Sequence, residues 1–436
     1  MRLRLLSAFL MAWAAAHAGE PPSRYGVDAP SLARLGESAV GVKTLHLVQP
    51  AQSDVLAFDA ATGKAPTRDR ALSVDLWYPA SAAEGAPRAV YTASLPSEPP
   101  APPAYFTIPG IAVRDAPASG RDHPLVIVSH GYSGDPAAMT WLTENLASKG
   151  YVVAAIHHED PPITDRVRFV GPLLRRPLDI AFVAATLQRL LAGEHLVDPR
   201  RTALVGYSMG GYGVLTAAGA VLDPHGAAVG LVPGGLMQPY AGGGALQDSI
   251  KVQGLRAVVA IAPAGGGSLG AWGAAGLLGI SAPLLLIAGN DDRTVDYASG
   301  ARTIFDEAAG APRYLLTFKG AGHSIGMSPA PDSMRRRLWD QDWFEDPVWR
   351  KERINAINAH FITAFLDLYV KGDESRAAYL KVAVSESSQG VWPQTTPEPG
   401  YDEYSPGTGG ITVWKGFQRN HASGLELLEA DARPAP

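Results

Sequence analysis

The run Thr202-Ala-Leu-Val-Gly206-Tyr-Ser208-Met-Gly210-Gly-Tyr-Gly-Val-Leu-Thr216 sets one serine where two periodicities meet. Ahead of it, Ala203 to Val205 is continuously apolar, as a strand covered on both faces is. Behind it, small residues from Val214 to Leu222 carry a helical pattern. Strand, tight turn and helix with a serine at the apex is the setting a G-x-S-x-G nucleophile elbow requires. The spacing has a steric reason. A serine on so sharp a turn holds strained backbone, and the residues two positions to either side come close to strand and helix. Glycine at 206 and 210 removes the side chains that would collide there. The following helix directs N–H groups and the positive end of its dipole at the serine. In a chain with 47 glycines the pentapeptide alone is weak. Its weight comes from the flanking elements and from partners downstream.

A serine hydroxyl is a poor nucleophile until a base takes its proton, and a histidine does this best when a carboxylate fixes its tautomer. On a strand–turn–helix elbow the chain order is serine, acid, histidine. Between Lys251 and Asn290 there is no Asp or Glu, which excludes an acid directly after the strand expected at Ala257 to Ala262. The first carboxylates follow the next strand, in Ile287-Ala-Gly-Asn-Asp-Asp-Arg-Thr-Val295. Asp291 and Asp292 are adjacent, so they cannot both face one imidazole. Motif position favours Asp292; Asp291 would then cap the loop and Asp296 the next helix. Of the histidines beyond, His360 falls inside a long helix and His421 in the tail. His323 stands in Gly320-Ala-Gly-His323-Ser, directly after the last expected strand. An oxyanion needs two backbone N–H groups: Met209, after the serine, offers one, and Tyr132, in the loop after the strand Pro124 to Ser129, the other.

The rest of the chain alternates strand and helix. Strands are expected at Val40 to Val48, Leu72 to Tyr78, Tyr151 to Ile156, Pro283 to Ala288 and Arg313 to Phe318. Helices are expected at Ala137 to Lys149, Arg176 to Leu191, Tyr297 to Ala309 and Glu352 to Val370. This argues an α/β fold with a mainly parallel central sheet flanked by helices. Pro79 to Asp122, rich in proline, reads as a surface excursion. Ligands of such a sheet bind beyond the carboxyl ends of its strands. His130, His157, Ser208, Asp292 and His323 all fall just past one.

Met1-Arg-Leu-Arg4, the apolar run Leu5 to Ala16 and Ala16-His-Ala18 fit a signal peptide cut after residue 18, hence export to the periplasm or medium. The run is too short for a transmembrane anchor. The expected organisation is a leader at 1–18, a catalytic domain at 19–371 and a loop-rich extension at 372–436 packing on the same domain. No cysteine is present, so stability without disulfides is required and thiolate chemistry is excluded. With 37 basic and 42 acidic residues there is no basic field for nucleic acid or anionic lipid.

Weaker candidates complete the reading. The four consecutive residues His157-His-Glu-Asp160 cannot converge on one metal ion, so they suit site lining or loop hydrogen bonds. Arg335-Arg-Arg337 reads as a solvated face. Trp272 and Trp339 are candidates for an acyl-pocket wall, with aromatic core packing as the alternative. His130 and His157 are further candidates for contact with substrate.

Ser129-His-Gly-Tyr-Ser-Gly134, Gly206-Tyr-Ser-Met-Gly-Gly211, Gly289-Asn-Asp-Asp292, Gly322-His323 and Asn358 to Phe365 together resemble the α/β-hydrolases. The resemblance is to the serine-bearing, dienelactone-hydrolase-like group that includes the platelet-activating-factor acetylhydrolases. It covers roughly Val40 to Gly372 and departs from true dienelactone hydrolases in carrying serine, not cysteine, at 208. It implies hydrolysis of a small-molecule or lipid-like carboxylic ester with neither metal nor cofactor. The same machinery would serve an amidase or peptidase, and a secreted binding module on this scaffold would use none of it.

Overall fold

The computed structural model describes residues 25–165, 167–392, 410–418 and 420–433. The expected leader at 1–18 lies outside them. The described residues build an 11-stranded sheet in the order β11-β10-β9-β8-β7-β5-β6-β2-β1-β4-β3. Its centre is parallel: β5 (His123–Ser129), β6 (Val152–His157), β7 (Val197–Tyr207), β8 (Leu255–Ile261), β9 (Leu284–Gly289) and β10 (Arg313–Phe318). Parallel strands need crossover helices, and these cover both faces. The central strands accordingly read as nearly unbroken apolar runs and are buried almost throughout. Helix α1 (Thr140–Ser148) and the closing helix Lys351–Leu366 share one hydrophobic core with the sheet. Helices α2 (Val170–Gly193) and α3 (Met209–Ala217) share the other. Among the described residues no helix is long and apolar enough to cross a membrane.

The expected α/β architecture is the one observed, but several elements differ from the sequence reading. Pro79 to Asp122 is not an excursion. It carries β3 (Arg88–Leu95) and β4 (Ala104–Arg114), an antiparallel pair joined to the sheet through β1 (Ala39–Ser53), itself antiparallel to β2 (Thr67–Ala80). The alternating burial of β3, with Ala89, Tyr91, Ala93 and Leu95 inward, was present in the sequence; the prolines around it masked the period. The helix expected over 297–309 is broken at Gly300, whose backbone leaves the helical region, and only Thr303–Glu307 is α-helical. Helix α3 begins directly after Ser208 and ends at Ala217, earlier than the pattern suggested. In the tail, β11 (Leu425–Ala430) pairs antiparallel with β10 and caps that edge.

Candidate active site

Ser208 follows β7 at φ 55° and ψ −117°, left-handed backbone that a non-glycine residue adopts only when its surroundings enforce it. The enforcement is steric. A Cβ on Gly206 would lie 2.2 Å from the Gly210 carbonyl oxygen, and one on Gly210 would lie 1.9 Å from that of Ser129. The turn therefore packs backbone on backbone. The Ser208 N–H donates to the Ile261 carbonyl at 2.9 Å, tying the apex to β8.

His323 reaches the serine from the loop after β10. Its Nε2 is 2.9 Å from Ser208 Oγ and its Nδ1 is 2.7 Å from Asp292 Oδ2. Asp292, 4% exposed, also accepts the N–H groups of Thr294 and Val295. Burial opposes its ionisation, but the hydrogen bond and charge of His323, together with those N–H groups, outweigh burial and hold the carboxyl below its usual range. Asp291, one residue earlier, faces solvent and pairs with Arg293. Asp296 accepts the Ser299 N–H and hydroxyl, a capping arrangement.

Side chains that the sequence reading missed hold the histidine loop. The Gly322 N–H donates to Asp346 at 2.7 Å, and the Tyr207 hydroxyl donates to the His323 carbonyl at 3.1 Å. Lys351 donates to the Ser324 carbonyl, Asn358 to that of Ile325 and Trp141 to that of Gly326. Tyr207 lies within the elbow motif, so its proximity to the site was readable. The others come from distant helices and loops, and no local pattern marks them.

The two expected oxyanion donors belong to segments that adjoin the serine. Met209 is the first residue of α3 and is buried. The loop carrying Tyr132 abuts the elbow: a Cβ on Gly131 would be 3.4 Å from Ser208 Cβ. The Tyr132 ring packs edge-on against Phe169 at 5.2 Å.

The four residues proposed for substrate contact are each held by other protein groups. His130 is buried; its Nδ1 meets the Gly131 carbonyl at 2.7 Å and its Nε2 accepts the His158 N–H. Burial first, then the positive charge of Arg176, pushes its pKa well below the usual histidine value, so it is a neutral brace of the loop. His157 bonds Asp75 at 2.8 Å, and Asp75 and Asp135 together raise its pKa against the effect of burial. Trp272 is a core residue, stacked on Tyr212 with its N–H on Thr216. Trp339 is 39% exposed and donates to the Pro96 carbonyl. Of Arg335 to Arg337, Arg335 pairs with Glu345.

A parallel-centred sheet, a strained serine between close-packed glycines, and an acid and a histidine following in chain order are the architecture of an α/β-hydrolase fold, and the chain has that fold. Within that fold, residues 115–241, which hold Ser208 and precede Asp292 and His323, match a family model described as PET hydrolase-like. Cutinase est2 of Thermobifida alba is 32% identical over 102 residues, 23% of this chain and 32% of that protein. Cutinase 2 of Thermobifida cellulosilytica is 32% identical over 105 residues, 23% of this chain and 37% of its own length. The chain thus spans about a third of the length of these relatives. A solved structure described as a ferulic acid esterase from Streptomyces cinnamoneus aligns with TM-score 0.50 at 22% identity, covering 76% of this chain and 90% of that one. At that identity the likeness is one of fold.

Proposed function

We propose that the chain is an exported serine hydrolase of carboxylic esters. The observation that carries this is the hydrogen-bonded line from Ser208 Oγ through the His323 imidazole to the Asp292 carboxylate, at 2.9 and 2.7 Å. The similarity to cutinases, with the match of residues 115–241 around Ser208 to a PET hydrolase-like model, supports an ester as substrate. Ser208 attacks the ester carbonyl while His323 Nε2 takes the hydroxyl proton. Asp292 holds the Nδ1–H tautomer and stabilises the imidazolium. The N–H groups of Met209 and Tyr132 receive the negative oxygen of the tetrahedral intermediate. Its collapse forms an acyl-serine and expels the alcohol, which takes its proton from His323. Water then attacks the acyl-serine by the same route and releases the acid. The basic, then apolar, start of the chain supports export.

The test is a panel of esters of graded acyl length, assayed with the wild-type protein and Ser208→Ala. Loss of the nucleophile should lower kcat by on the order of 10⁴-fold or more. Turnover by Ser208→Ala within a few-fold of wild type would sink the assignment. A fluorophosphonate probe that labels the folded wild type but not Ser208→Ala would separate an enzyme from a non-catalytic module on the same scaffold.

A further inference from the structure

Beneath the oxyanion loop lies a second hydroxyl–imidazole–carboxylate line. Ser129 Oγ is 2.9 Å from His158 Nε2, and His158 Nδ1 is 3.0 Å from Asp179 Oδ2. Ser129 and Asp179 have no exposure, so no substrate reaches them. Burial first, then the charge of Arg176, brings the His158 pKa down to about 3 against the pull of Asp179. The imidazole is therefore neutral at ordinary pH. Its Nδ1–H donates to Asp179, and its Nε2 accepts a hydrogen bond from the Ser129 hydroxyl. Asp179 also receives two nitrogens of Arg70, at 2.8 and 2.9 Å.

What this line supports is Arg176, on α2 and without exposure. Its Nη1 donates to the His130 carbonyl at 2.7 Å and lies 3.3 Å from Ser129 Oγ. Its Nη2 donates to the Gly131 carbonyl at 3.1 Å and to Asp160. The Gly131 oxygen also meets His130 Nδ1 and the Gly134 N–H. Arg70 and Arg176 face the carboxylates of Asp160 and Asp179.

The consequence follows from peptide geometry. A trans peptide directs its C=O and its N–H to opposite sides. With the Gly131 oxygen held toward Arg176, the N–H of Tyr132 must point the other way, and Gly131 lies against Ser208, where a Cβ would be 3.4 Å from the serine Cβ. We propose that Arg176 is a positioning residue for the oxyanion hole. Its rigid fork spans two successive carbonyls and locks the 131–132 peptide so that the Tyr132 N–H faces the reacting carbonyl. The Ser129–His158–Asp179–Arg70 line holds that fork in register. This inference rests on the serine-hydrolase reading of the site.

The experiment compares wild type, Arg176→Lys and Arg176→Met on one activated ester, with kcat expressed per fluorophosphonate-titrated site and thermal unfolding followed in parallel. Loss of an oriented oxyanion donor should lower per-site kcat of Arg176→Met by roughly 10²- to 10³-fold with KM within about threefold. Arg176→Lys, a single point donor, should fall between. Should Arg176→Met fail to fold, Ser129→Ala, which removes one contact of the fork and releases His158, should still lower per-site kcat by about tenfold. A per-site kcat equal to wild type in the folded variants, with only the melting temperature reduced, would overturn the proposal while leaving the triad intact. A wild type that turns over no ester would overturn both readings.

Discussion

Asp291 and Asp292 share chemistry and chain position but not environment. One is more than half exposed beside Arg293; the other is enclosed, bonded to His323 and to two backbone N–H groups. Exchange for asparagine should separate them. Asp292→Asn keeps the shape but favours the wrong imidazole tautomer, so kcat should drop on the order of 10³- to 10⁴-fold with KM little changed. Asp291→Asn should stay within a few-fold of wild type in the same assay. Equal losses in the two variants would mean that the wrong carboxylate has been named. At this scale the sequence was informative because the constraints are local. Glycine at 206 is demanded by the Gly210 carbonyl four residues on, within the same motif, whereas Gly210 itself packs on the Ser129 carbonyl of another strand. Arg176, in contrast, was legible only as part of an amphipathic helix, since the carbonyls it grips belong to another strand-end loop.

Among the elements, β11 shows what a short pattern conceals. Leu-Glu-Leu-Leu-Glu-Ala at 425–430 has a strand's inward leucines, Leu425 and Leu427, nearly without exposure. The tail around it is rich in glycine and proline, and nothing near it announces a partner. The partner is β10, which starts 112 residues earlier and carries the histidine loop at its end. An unpaired edge there would leave a row of open N–H and C=O groups next to the site. Leu427→Ala should therefore cost about 2 to 5 kcal/mol in urea unfolding, as a buried large-to-small change does. A loss below about 0.5 kcal/mol, the usual range for surface positions, would show that β11 adds little to the core. The long, strongly periodic elements, from β5 to the closing helix, were readable from their apolar runs. The hairpin β3–β4 and the break at Gly300 were not, because a proline-rich surround and a single backbone torsion decided them.

For the molecule as a whole, the buried imidazoles dominate the response to acid. His158 and His360 each have a pKa of about 3, lowered chiefly by burial and then by the charges of Arg176 and Lys149, and burial and then Arg176 hold His130 well below the usual histidine value too. The unfolded chain takes up these protons near pH 6.5. Between about pH 6.5 and 3 it therefore binds more protons than the folded protein, and stability falls as pH falls. Asp179, with a pKa of about 2, acts in the same direction below about pH 4, its contribution being lost as it protonates. His157 has the opposite sign: its raised pKa contributes below the unfolded value and is lost as pH rises past it. The three depressed imidazoles outweigh it. Urea unfolding at pH 7, 5.5 and 4.5 should show stability dropping by up to about 4 kcal/mol per pH unit, the slope of three protons. A flat profile would mean that these rings are not held neutral.

The chain by itself determined the fold class, the serine and the order of its partners, because close backbone packing, apolar runs and loop position are written in short stretches. Motif position already favoured Asp292, and the fold turns it inward; tertiary structure alone decided how the His130 and Gly131 carbonyls are held and where the sheet ends. Those choices depend on segments far apart along the chain, such as the 115 residues between Ser208 and His323, and on burial that exists only after they meet.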